Sequence, residues 1–171
     1  RSVSRGLGDV YKRQIISTIV TAVTVVISIV TVTTVVGISI IRAFAVISVS
    51  GVVSLIRGIC ISPRRGTAKY PVETAKIVPD WGIEEDAHGG KWHRQISLLA
   101  LEKIEAFREK GADVDFGAFG ENLIVEGFDL RNVPVDSEIR IGDAVRLKVT
   151  QIGKECHSHC AIYQRMGDCI M

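Results

Sequence analysis

The densest cluster of groups able to do chemistry lies near the end of the chain, in Lys154-Glu155-Cys156-His157-Ser158-His159-Cys160, with Cys169 shortly beyond. A thiolate is both a nucleophile and a soft metal ligand, and Lys154 with two imidazoles provides neighbours that favour ionised cysteine. Cys156 is therefore a candidate nucleophile or metal ligand. A second chemistry competes with this one. Cys156 and Cys160 in a Cys-x3-Cys arrangement, with His157, His159 and Cys169 as further donors, could hold zinc or iron. The spacing is not that of a finger or ribbon, and Cys60, the remaining cysteine, sits in an apolar strand-like run. A Cys156–Cys160 disulfide would silence Cys156 as a nucleophile.

Two polar turns could complete a site. Glycines in Gly120-Glu121-Asn122 would let backbone N–H groups approach an anionic ligand, with Glu121 and Asn122 supplying directional hydrogen bonds. The alternative is a tight turn between strands. In the loop Asp80–Gln95, His88-Gly89-Gly90 is followed by His93-Arg94. The planar fork of Arg94 suits bidentate contact to phosphate, and His88 or His93 could move protons near neutral pH. Asp86 would orient His88 or cap the turn, and Trp81 and Trp92 read as packing residues.

These residues need elements to hold them. Val52–Ser62, β-branched and apolar, reads as a strand stopped by Pro63-Arg64-Arg65-Gly66. Val72–Val78, bounded by prolines, is another strand or an edge segment. Leu98, Leu101, Ile104 and Phe107 recur at helical spacing, which predicts a helix over Leu98–Lys110 capped by Ser97 and closed by Gly111. Leu123–Val125, Val133–Val135, Glu138–Ile141 and Val145–Ile152 read as short strands. In the last, Val145, Leu147 and Val149 alternate with Arg146, Lys148 and Thr150, as a half-buried strand requires. The expected class is mainly β with one or two helices, in a barrel.

The first third reads differently. Residues 1–57 carry six basic side chains and one acidic, and residues 58–171 fifteen and eighteen, so the net +2 averages a basic and a mildly acidic part. The folded part has no basic stripe to neutralise phosphates, which sets nucleic acid aside. Residues 1–14 resemble an adapter-like, non-native segment, and residues 15–50 an apolar stretch of low complexity. Ile15–Ile41 lacks charge and is long enough for a membrane helix, since about 20 residues span a bilayer. Its Val, Ile, Thr and Ser content favours strand instead. It is a membrane anchor or read-through upstream of a true start, and a membrane is a partner only in the first case. The expected domain is 51–171. The cysteine spacing is not that of a secreted scaffold, which places the protein in the cytoplasm unless that segment anchors it. No P-loop, dinucleotide fingerprint or Ser-His-Asp order is present.

Three blocks together resemble the molybdenum cofactor sulfurase C-terminal (MOSC) family: GIEEDAHGGKWHRQISLL (Gly82–Leu99), FGAFGENLIVEG (Phe116–Gly127) and the segment Ile141–Met171 with IGKECHSHC. The resemblance implies a β-barrel of the pyruvate-kinase β-domain type. It also implies binding of molybdenum cofactor (molybdopterin) or handling of activated sulfur, by a sulfur transferase or an accessory protein. Cys156 matches the family's distinctive cysteine, and a His-Gly-Gly with a following Arg lines the pocket. The implied partners are the pterin cofactor or a sulfur donor such as a cysteine desulfurase. IGKECHSHC replaces the proline-rich approach of many relatives, which points to a small stand-alone bacterial-type member. The family pattern continues past Met171 with a final strand, so the resemblance implies a barrel lacking its last strand, with an open edge.

Overall fold

The β-branched character of the N-terminal stretch carries into paired strands: Thr34–Val35 (β1), Ile38–Arg42 (β2) and Val46–Val49 (β3). The structure is a computed structural model, and it describes residues 34–35, 38–153 and 159–171. Val32–Met171 forms one compact unit. The strands thus begin before the boundary expected at residue 51. Ile38–Ile41, the end of the run long enough to be a membrane helix, is strand, because its β-branched isoleucines suit a pleated sheet and find neighbouring ladders. Among the described residues no helix is long and apolar enough to cross a membrane.

The remaining strands are Val52–Ile61 (β4), Tyr70–Val72 (β5), Thr74–Val78 (β6), Gly82–Ile83 (β7), Leu98–Ala100 (β8), Leu123–Glu126 (β9), Glu138–Ile141 (β10) and Val145–Lys148 (β11). One sheet runs β1-β2-β6-β7, and the other β11-β10-β3-β4-β9-β8, with β5 also on β4. Both curl around a core that includes Ile41, Ile47, Ile59, Ile77, Leu123 and Ile141. The class is mainly β with two helices, as expected, in a curled half-barrel. Among the described residues β11 and β8, at the two ends of the second sheet, do not pair with each other.

β4 and β9 are apolar on both faces for a reason. Their side chains alternate, so Ile59, Ile61, Leu123 and Val125 enter the barrel core, whereas Cys60 and Ile124 enter a second cluster with Ile104, Phe107 and Phe119. That second cluster packs helix α1, Leu101–Glu109, onto the sheet.

Three expectations need correction. The helix starts at Leu101, not Leu98, and Ser97 does not cap it: the N-cap is Ala100, without a side-chain bond. Leu98–Ala100 instead pairs in parallel with Leu123–Val125, where ladder hydrogen bonds and burial on the sheet outweigh helical spacing. Val133–Val135 is no strand: a 3-10 turn at Leu130–Asn132, capped by the Asp129 side chain, precedes it. The strand read over Val145–Ile152 ends at Lys148, although Val149 still bonds with Ser137 and Asp136. A short helix, Ala161–Met166 (α2), was not legible in the sequence. Gly111 does close α1, in the left-handed conformation at φ 92°.

Candidate functional site

The C-terminal end of β4, the loop after it, the turn after β7 and the residues before β9 converge on a buried polar network. Lys69 and Asp86 have no exposed side-chain surface. Lys69 Nζ donates to both Asp86 oxygens at 2.6 Å. Asp86 Oδ1 also accepts from Ser62 N–H at 2.9 Å, and Oδ2 from Asn122 Nδ2 at 3.1 Å. A charge this deep persists only when paired and fully hydrogen-bonded. Burial alone pushes the Asp86 carboxyl up, but Lys69, Ser62 and Asn122 outweigh it and hold it below the ordinary aspartate value. Burial draws Lys69 down, against the pull of Asp86.

Asn122 ties this network to the sheet. Its Nδ2 also donates to Cys60 O at 3.0 Å, while its Oδ1 accepts from Ser97 N–H at 3.1 Å and Ser97 Oγ at 3.2 Å. Both amide protons and the carbonyl oxygen are therefore spent inside the protein. Glu121 is likewise turned inward: its carboxylate accepts from Gly117 N–H at 2.7 Å and Phe119 N–H at 3.0 Å. Burial raises its pKa, and those N–H bonds only partly offset this. The directional bonds expected from Glu121 and Asn122 toward a ligand are used to build the turn instead. Cys60, buried beside Glu121 and Lys69, has its thiol pushed up to about 12 by burial first and by Glu121 next, so it is inert at neutral pH.

Over this floor opens a cleft of about 1050 Å³, with His88, Trp92, His93, Arg94, Gly120 and Asn122 in its wall. Arg65 reaches the same wall, with its Nε donating to Ala87 O at 3.0 Å. Trp92 organises it: the Arg65 and Arg94 guanidinium carbons lie 5.6 and 5.4 Å from its ring centroid, in cation–π range. Its indole N–H donates to His88 O at 2.7 Å. Trp92 is thus a scaffold for two guanidiniums rather than a core packing residue. Among the described residues neither arginine is ion-paired, and the buried Arg94 Nε has no hydrogen-bond partner. A buried cationic donor without a partner costs free energy unless an acceptor meets it.

Of the residues singled out in the sequence, His88, Arg94, Gly120 and Asn122 share this wall. Gly89 and Gly90 do not: their N–H groups bond to Asp86 O and Trp81 O, and a Cβ on Gly89 would lie 2.5 Å from Trp81 Nε1. They shape the turn that aims His88. Cys156 and His157 lie outside the described residues. Cys169 lines the cleft, Cys160 is exposed, and the His159 ring stacks on Tyr163 with centroids 3.8 Å apart. Among the described residues no three His, Cys, Asp or Glu side chains gather into a group that could hold a metal ion. Sequence reasoning did not assign Lys69, Ser62 or Arg65 to the site. A lysine before Tyr-Pro-Val in a polar loop carries no sign that it is buried.

Fold and site together define a mainly β domain with a wide cleft suited to an anion, above a sealed Lys–Asp–Asn floor. Residues 85–168 match the family model described as MOSC domain, a match consistent with a member of that family, which is associated with molybdenum-cofactor sulfurase-related proteins. Lys69, Ser62 and Cys60 precede the matched stretch yet complete its floor. No curated protein and no solved structure matches the chain.

Proposed function

We propose that the chain binds molybdenum cofactor in the cleft and carries sulfur on Cys156 as a thiolate or persulfide in the metabolism of that cofactor. The observation that supports this most is the buried Arg94 Nε, left without a partner in a wall that also holds Arg65 and His88. A phosphate-bearing pterin fits such a wall. Its phosphate supplies the missing acceptor, and the volume of about 1050 Å³ suits a ligand of that size. Arg94 and Arg65 would hold the phosphate, while the left-handed Gly120, φ 83°, keeps the wall free of a side chain. The bound group would supply a molybdenum centre able to accept a thiolate or sulfur ligand.

Cys156 follows Gly153, a residue of the cleft wall, by three positions in the sequence. Sulfur loading needs a donor persulfide, as on a cysteine desulfurase. The Cys156 thiolate attacks its outer sulfur, the donor's S–S bond breaks, and the donor leaves as thiolate. Intact mass spectrometry after incubation with a desulfurase and cysteine should show a gain of one sulfur, about 32 Da, absent in Cys156→Ser. A chain that stays unmodified sinks the carrier role.

A further inference from the structure

The two Asp86 oxygens take two of the three N–H bonds that the Lys69 ammonium can donate. In another direction Lys69 Nζ meets His88 Nδ1 at 3.3 Å. Asp86 Oδ2 lies 3.7 Å from the same ring nitrogen, beyond hydrogen-bond reach. Asp86 therefore makes no direct hydrogen bond to His88, and the bonded link between them runs through Lys69. An ammonium has no lone pair, so the ring nitrogen that faces it must be the acceptor, and the ring proton then sits on Nε2.

We propose that Lys69 is a positioning residue that locks His88 as the neutral Nε2–H tautomer, making it a hydrogen-bond donor, not a base, toward an oxyanion in the cleft. Lys69 has no exposed side-chain surface, whereas the side chain of His88 is 31% exposed and lines the cleft. Ser62 and Asn122 hold Asp86, Asp86 holds Lys69, and Lys69 sets the imidazole. Only the oxyanion part rests on the anion-binding reading of the cleft. The tautomer stands on the geometry alone.

Multiple-bond 15N–1H spectra of the uniformly labelled full chain, with His88 assigned by the signals lost in His88→Gln, read the tautomer directly. The expected result at neutral pH is an unprotonated Nδ1 and a protonated Nε2. A protonated Nδ1, as in the other tautomer or an imidazolium, overturns the lock. In Lys69→Met, Asp86 Oδ2 becomes the nearest partner for Nδ1, and the tautomer should reverse to Nδ1–H. An unchanged tautomer in folded Lys69→Met refutes the role of Lys69. The wild-type spectrum needs no variant, so the proposal can fail even if Lys69→Met does not fold. Adding inorganic phosphate should then shift Nε2 more than Nδ1. An unmoved Nε2 beside the predicted tautomer counts against the oxyanion, and with it the anion-binding reading, while leaving the lock in place.

Discussion

Asp86 and Glu121 are buried carboxylates on either side of Asn122's network, and they solve the problem of burial in opposite ways. Asp86 is met by an ammonium at 2.6 Å, a backbone N–H and an amide, and its pKa falls. Glu121 is met chiefly by backbone N–H groups of its own turn, and burial wins, so its pKa rises. One region is a neutralised platform that presents His88 to the cleft. The other is a folded hairpin of chain that presents Gly120. The difference teaches that Asp86 and Glu121 are spent on building the site, while Arg65 and Arg94 line the cleft above them.

The comparison breaks most visibly at Asp86. Asp86→Asn leaves the Lys69 ammonium uncompensated in a fully buried position, which should cost about 3–5 kcal/mol, read as a fall in the urea unfolding midpoint. Gly117→Ala attacks the junction of the two regions. Gly117 has φ 91°, and a Cβ there would lie 2.2 Å from Lys69 O. The backbone conformation alone should cost about 1–3 kcal/mol, with the overlap adding to it, measured by thermal unfolding. Glu121→Gln keeps the shape but turns an amide toward one of two N–H donors, so a loss of about 1–2 kcal/mol is expected.

The pH dependences of these two acid variants should have opposite signs. The folded pKa of Asp86 lies below its unfolded value of about 3.9. Its stabilisation is in place above that value and is lost as pH falls through the lower folded one. The folded pKa of Glu121 lies above its unfolded value of about 4.3. Its contribution is full below that value and is lost as pH rises through the raised folded one. The penalty of Asp86→Asn should shrink on acidification, and that of Glu121→Gln should shrink on moving to neutral pH. Chemical unfolding at a series of pH values checks both, and parallel trends would break the contrast.

Much of the fold was legible because pleated alternation and turn residues act locally. Glu138–Ile141 and the start of the Val145 strand are in place, and Gly111 ends the helix. Leu98–Ala100 was not legible, since its partner Leu123–Val125 is a parallel strand supplied from beyond the helix. The strands in 38–49 were hidden by an upstream run of similar composition. For the site, residue types marked His88, Arg94 and Gly120, but Lys69 and Asp86 form an ion pair across 17 positions that no local pattern encodes. The inward turn of Glu121 was also invisible, because a Gly-Glu-Asn sequence suits a ligand contact and a self-bonded turn equally well.

Arg94 offers the smallest effect on stability and the largest on the account as a whole. Its buried Nε has no partner, so Arg94→Met should leave the unfolding midpoint unchanged or slightly raised. Binding should respond differently. Pterin content of the purified full chain, read as fluorescence of the oxidised pterin per protein, is predicted to be substantial in wild type and lower by roughly tenfold or more in Arg94→Met. Equal pterin content in the two proteins, or none in wild type after exposure to the cofactor, would contradict a cleft built around that arginine.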